Sequence, residues 1–231
     1  MNRYAVAGAV LGTGLILAGC GVGGFGGPEK EDVANYDITE KIAQMQVETG
    51  AGDIIITESD RKGIKVTETI HWRGEKPKAE HPINGDKVTL RYDCPNGIGV
   101  STCSVDYRVE IPKGVALTLN AGSGNITLRA ASGGVTANTG SGDIEAAGLT
   151  GKSALVETGS GNVQFKYTAI PDEVEVETGS GDATVYVPDG KYDVKLDVGS
   201  GSEKVEVVQD RSVPNKLTLT TGSGNASVLK S

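Results

Sequence analysis

Histidine and the large aromatics are nearly missing from this chain: its 231 residues include two His, one Trp and two Phe. His71 and His81 form no ligand spacing with any cysteine, so the donor count for a structural zinc site is not met. Neither stands near the main clusters of serine, and no nucleophile–base pair emerges. With aromatics at 4%, the interior must be built from Val, Ile, Leu and Ala, which suits a thin core. A basic surplus is also lacking, since 22 Lys and Arg face 30 Asp and Glu. Such a surface repels nucleic acid and anionic lipid. No apolar run is long enough to span a bilayer. Helix signals are scarce beyond the first twenty residues, with Glu31 to Ala43 as the one candidate.

What is abundant is glycine, 34 residues, and it recurs in a phrase. Thr139-Gly140-Ser141-Gly142-Asp143-Ile144 is repeated almost unchanged from Thr158 to Val163 and from Thr178 to Ala183. The first glycines, Gly122, Gly140, Gly159, Gly179, Gly199 and Gly222, advance by 18, 19, 20, 20 and 23 residues. A period near 20 predicts a stacked solenoid. An early copy, Thr49-Gly50-Ala51-Gly52-Asp53-Ile54, lies 72 residues ahead of the array.

Aligning the copies on their first glycine separates inward from outward positions, because a strand alternates faces with period two. Apolar pairs such as Leu117/Leu119, Val156 with Ala154 and Val174/Val176 enter each turn, and Ile126/Leu128, Val163/Phe165 and Ala183/Val185 leave it. Only the Gly199 copy breaks the pattern, with Glu203 at an inward position. The turn glycines Gly122, Gly124, Gly140, Gly142, Gly159, Gly161, Gly179, Gly181, Gly222 and Gly224 supply corner conformations at low steric cost. A second corner closes each coil, as at Ser132-Gly133-Gly134 and Pro188-Asp189-Gly190. The reading is all-β: a β-solenoid of stacked two-strand coils of about 20 residues, with an antiparallel β-sandwich as the alternative. Residues 57–115 alternate less regularly and read either as further coils or as hairpins capping an open end.

At the N-terminus Arg3 precedes an apolar run from Tyr4 to Ala18, the pattern of an export signal. It ends in Leu17-Ala18-Gly19-Cys20, which looks like a bacterial lipobox; that resemblance implies cleavage before Cys20 and acylation of its thiol. Removal of the segment takes Arg3 with it and moves the formal net charge from −8 to −9. The expected organisation is a signal over 1–19, an acylated Cys20 and Gly-rich tether over 20–32, a first β part over 33–115, and the clean repeats over 116–231, continuous with it. Cys94 and Cys103 remain as an even pair in an exported chain and predict a disulfide, closing a hairpin between adjacent strands.

Val109-Glu110-Ile111-Pro112-Lys113-Gly114, the strand from Val115 to Leu119 and the Gly-Ser-Gly-Asn/Asp turns together resemble the bacterial putative-adhesin family. The resemblance covers roughly residues 40 to 230. It implies a Gly-rich β-repeat domain on an exported or envelope protein, and it brings no catalytic residues.

Gly148-Leu149-Thr150-Gly151-Lys152-Ser153 ends like a phosphate loop, but Ala146 stands where glycine is required and a strand follows where a helix is needed. The outward position two before each glycine reads Glu48, Asn120, Asn138, Glu157, Glu177, Asp197, Thr220. Carboxylates on three successive coils suggest a shallow cation site at Glu157, Glu177 and Asp197, of oxygen character suited to weak Ca²⁺ binding. No other cofactor is implied. The turn position Asn125, Asp143, Asn162, Asp182, Asn225 largely alternates charged and neutral, which relieves crowding between stacked carboxylates.

The function expected from these features is that of a non-enzymatic lipoprotein, outside the cell membrane and anchored to it through lipid, presenting a rigid solenoid to a protein or glycan partner and not to nucleic acid. Two alternatives are an envelope-stress or signalling accessory protein and a polysaccharide-active enzyme using the acidic ladder.

Overall fold

The computed structural model describes residues 28–95 and 102–231. The signal, Cys20 and residues 20–27 of the tether lie outside the described residues. Twenty-one strands and no helix make up the described residues. The first eight are β1 (Lys30–Ile38), β2 (Gln44–Ala51), β3 (Ile54–Glu58), β4 (Ile64–Arg73), β5 (Lys78–Glu80), β6 (Ile83–Asn84), β7 (Lys87–Asp93) and β8 (Thr102–Ile111). The repeats give β9 (Ala116–Ser123), β10 (Ile126–Ala131), β11 (Val135–Ser141), β12 (Ile144–Leu149), β13 (Ser153–Ser160), β14 (Val163–Tyr167), β15 (Glu173–Ser180) and β16 (Ala183–Val187). The chain closes with β17 (Lys191–Ser200), β18 (Glu203–Val205), β19 (Val208–Gln209), β20 (Lys216–Ser223) and β21 (Ala226–Lys230).

Each coil contributes its entering strand to one sheet and its leaving strand to another. The result is a ten-stranded sheet, β1-β4-β8-β3-β10-β12-β14-β16-β21-β18, facing an eleven-stranded one, β19-β17-β20-β15-β13-β11-β9-β2-β7-β5, with β6 on β7. Neighbouring coils pair in parallel throughout the array, so it is a β-solenoid and not an antiparallel sandwich. The inward columns are buried as the alternation requires, and one continuous apolar core of Val, Ile, Leu and Ala with a few aromatics runs through both sheets.

The coils do not stack in chain order. The early copy, β2 and β3, sits between β7/β8 and β9/β10. The last copy, β20 and β21, sits between β15/β16 and β17/β18. Both displaced copies carry clean turn phrases, while the coils at the two ends, β7/β8 and β17/β18, carry degenerate ones. An interior coil must satisfy neighbours on both sides; an end coil meets one.

Residues 57–115 contain both a parallel coil and antiparallel strands, where the sequence left coils and capping hairpins as alternatives. β7 and β8 form a parallel coil, whereas β1 and β4 lie antiparallel beyond β8, and β5 and β6 lie antiparallel beside β7. These antiparallel strands cover the open edge at this end. The helix expected over Glu31 to Ala43 is replaced by β1, in which Asp32, Ala34, Tyr36 and Ile38 alternate inward with period two.

Cys94 and Cys103 are disulfide-bonded, with Cα atoms 6.1 Å apart. The hairpin expected around them is corrected, because β7 and β8 belong to opposite sheets. The bond is a staple across the corner of one coil.

Candidate functional site

Every letter of the repeated phrase does a separate job at the corner. The threonine is buried, and its hydroxyl donates to a glycine carbonyl of the preceding coil: Thr139 to Gly124, Thr158 to Gly142, Thr178 to Gly161 and Thr221 to Gly181, at 2.9–3.2 Å. The first glycine is imposed by stacking. A Cβ on Gly140, Gly159 or Gly179 would lie 2.5–2.6 Å from the carbonyl oxygen of Gly122, Gly140 or Gly159. The second glycine adds a conformational demand; Gly161 has φ +152° and a Cβ there would overlap the Gly142 carbonyl.

The Asx residue completes a ladder along the corner. Each side chain accepts from the backbone N–H of the Asx on the next coil: Asn125 N–H to Asp53, Asp143 to Asn125, Asn162 to Asp143, Asp182 to Asn162 and Asn225 to Asp182, at 2.7–3.0 Å. In spatial order the residues run Asp53, Asn125, Asp143, Asn162, Asp182, Asn225, strictly alternating. The Asn162 and Asn225 amides donate to Asp143 and Asp182, so these two carboxylates meet neutral donors and not another anion. Asp106 heads the ladder by accepting from the Asp53 N–H at 2.8 Å. Its other oxygen lies 3.5 Å from His71 Nε2, and His71 Nδ1 lies 3.6 Å from Glu31. His71 therefore lies between two carboxylates in the cap. The turn amides are spent on neighbouring coils and do not form an open nest for an anion.

The glycine column leaves a trough on the outer face of the eleven-stranded sheet. Gly140, Gly159 and Gly179 are on its floor, and Asn120, Asn138, Glu157 and Glu177 form its polar side. It is an open concavity of about 650 Å³ crossing four coils. Within it the Asn138 amide donates to Asn120 at 3.1 Å.

The structure brings together only part of the expected cation site. Glu157 and Glu177 are direct partners on β13 and β15. Glu177, however, is followed by Thr220, and Asp197 lies one coil farther out. The insertion of β20 thus separates the third carboxylate, and among the described residues no three His, Cys, Asp or Glu side chains gather closely enough to hold a metal ion. The three-carboxylate site at Glu157, Glu177 and Asp197 is not assembled.

One buried polar cluster escaped the sequence reading. Glu68, 3% exposed, points inward from β4 and accepts from the Tyr36 hydroxyl at 2.5 Å. Tyr36 stacks on His81, with ring centroids 4.5 Å apart. Burial pushes the Glu68 carboxyl up, against the opposing pull of the Tyr36 hydrogen bond and the nearby His81. The signal was present: the inward series Ile64, Val66 continues by two onto Glu68.

No helix among the described residues is long and apolar enough to cross a membrane. No curated protein matches the chain in sequence. A crystal structure from Clostridium sporogenes, named a "putative cell adhesion protein", is similar over 88% of this chain and all of its own, at 15% identity and TM-score 0.50. A "putative adhesin" from Bacteroides fragilis is similar over 87% of this chain and 97% of its own, at 13% identity and TM-score 0.45. The first likeness shows a shared fold. The family model described as Toastrack DUF4097 matches residues 42–229, from the first interior coil to the last, and the chain belongs to that family.

Proposed function

We propose that the protein is a non-enzymatic surface lipoprotein, held outside the cell membrane by lipid on Cys20, that binds an uncharged glycan along the trough of its eleven-stranded sheet. The observation that carries this reading is the trough itself. Amides and carboxylates recur along it at the strand spacing of about 4.8 Å, over a floor that bare glycine keeps flat. Asn side chains both donate and accept, and carboxylates accept, so the row suits successive hydroxyl-bearing units. The acidic flank formed by Glu157, Glu173, Glu175 and Glu177 disfavours an anionic polymer. An open trough with no aromatic platform binds each unit weakly, and affinity would come from repetition along a rigid support. The name carried by the similar Clostridium sporogenes structure agrees with an adhesive role.

The test is retention of the protein beginning at Pro28 on insoluble neutral polysaccharides. Binding is expected, weakened at least fivefold by Asn138→Ala combined with Glu157→Ala. Binding that ignores both substitutions would remove the trough from the account. Turnover of the polysaccharide, abolished by Glu177→Gln, would favour the enzyme, and lost envelope signalling with glycan binding intact would favour the accessory role. In cells, Cys20→Ser is expected to shift the protein out of the membrane fraction; continued membrane retention would refute the anchor.

A further inference from the structure

The two ends of the solenoid are finished differently. At one end β1 and β4 close the ten-stranded sheet, and β5 and β6 close the eleven-stranded one, all antiparallel. At the other end the last coil, β17 and β18, has no such cover among the described residues. β19 pairs with β17 only at Lys191 and Tyr192, which leaves the edge from Asp193 to Ser200 open. Val194, Leu196 and Val198 occupy inward columns and pack against the core, but they are only half-buried. Val194, Leu196 and Val205 border a hollow of about 600 Å³.

The open edge offers backbone groups in a defined phase. The Asp193 N–H donates inward to Asn215, while the Tyr192 carbonyl accepts from Asp210 on the outer side. Even-numbered residues of β17 therefore aim N–H and C=O at the edge, which makes Val194, Leu196 and Val198 the groups that a new strand would bond. Odd-numbered residues carry the outward side chains, and these alternate in sign: Lys191, Asp193, Lys195, Asp197.

That alternation identifies the partner. We propose that the open edge binds the same edge of a second copy, β17 against β17 antiparallel, with Leu196 opposite its own counterpart. In this register Lys195 faces the partner's Asp197 twice over, and Val194 faces the partner's Val198 on the inner side. Shifting the sum of paired residue numbers by two in either direction sets Lys195 against Lys195 or Asp197 against Asp197, and like charges directly opposite are destabilising. Shifting it down by four restores opposite charges but needs the edge at Lys191 and Tyr192, which β19 occupies. Shifting it up by four sets Asp197 opposite Gly199 and forms no charge pair, so of these registers the one centred on Leu196 alone pairs opposite charges along the edge from Asp193 to Gly199.

The contact is isologous and closes on itself, because the same edge is used by both copies. Glu203, at an inward position of the last coil, also opposes continued stacking of apolar coils. The two β1 strands then lie at opposite ends of a rod of twenty strands in the smaller sheet, about 90 Å long at a spacing near 4.8 Å.

The test is sedimentation velocity on the protein beginning at Pro28, which contains every described strand and the whole core, from micromolar to millimolar concentration. A monomer–dimer equilibrium is expected. Lys195→Asp and Asp197→Lys, both at exposed outward positions, are each expected to weaken self-association at least tenfold, since each sets like charges opposite in two places. An equimolar mixture of the two variants restores every opposite pairing and is expected to form a heterodimer. A wild-type protein that stays monomeric overturns the proposal. So do single variants that dimerise undiminished, or a mixture that fails to associate while circular dichroism shows both variants folded.

Discussion

Gly161→Ala, set beside two control substitutions, separates the two constraints that stacking places on the turn phrase. At Gly85 the backbone has φ +64° and an added Cβ meets nothing within 4 Å, so Gly85→Ala carries conformational strain alone, about 1–2 kcal/mol. At Gly159 a Cβ would lie 2.6 Å from the Gly140 carbonyl oxygen with no left-handed backbone; coil spacing must give way locally, at about 1–3 kcal/mol. At Gly161 both apply, since φ is +152° and the Cβ overlaps the Gly142 carbonyl. The expected loss is about 3–5 kcal/mol, at the upper end for single substitutions. Denaturant titration followed by circular dichroism measures all three, with the midpoint falling in the order Gly85→Ala, Gly159→Ala, Gly161→Ala at similar slope. If Gly161→Ala is no worse than Gly85→Ala, neighbouring carbonyls do not impose the glycine and the packing argument fails.

Two further perturbations probe the capped end. Glu68 is buried with its carboxyl raised above its ordinary value of 4.5, so the folded protein holds that proton more tightly than the unfolded chain does. Its contribution is complete below about pH 4.5 and is lost as pH rises through the folded value. Glu68→Gln should therefore stabilise the protein at neutral pH relative to wild type, with a difference that vanishes in acid; a difference that grows in acid refutes this assignment. Tyr36→Phe removes the hydroxyl donor to that carboxyl and should cost about 1–3 kcal/mol at neutral pH. Reduction of Cys94–Cys103 opens a loop of nine-residue separation and should lower stability by about 2–3 kcal/mol, without exposing the trough; equal melts with and without reductant contradict the staple.

Much of the fold was legible because burial and alternation are local. Leu117, Leu119, Ile126 and Leu128 announce their inward columns within a dozen residues, and Gly122-Ser123-Gly124-Asn125 marks the corner between them. The order of coils was not legible by the same route, since one repeat's edge resembles another's and a parallel ladder accepts any neighbour of matching register. The missed clue lay in the turns. Placed in chain order, Asp182 is followed by Ser202 and then Asn225; placed with Asn225 next, the Asp–Asn alternation is unbroken and the poor copy, with Ser202 and Glu203, falls at the end. The same error produced the supposed carboxylate triad, because Thr220 and not Asp197 is the neighbour of Glu177. Cys94 and Cys103 were pairable from composition, yet their separation in sequence said nothing about the two sheets they join.

The open edge at β17 depends on the coil order, and one pair of cysteine substitutions reads it directly. Ser180 is the strand partner of Ser223, and Ser223 is the partner of Ser200. In the protein beginning at Pro28, Ser180→Cys with Ser223→Cys places two thiols on adjacent strands, about 4.8 Å apart at Cα and within disulfide reach. Ser180→Cys with Ser200→Cys places them two strands apart, roughly 10 Å, beyond that reach. Mass spectrometry after mild oxidation should find the 180–223 bond and no 180–200 bond. A 180–200 bond in the folded protein, with 180–223 left reduced, would mean that the coils stack in chain order.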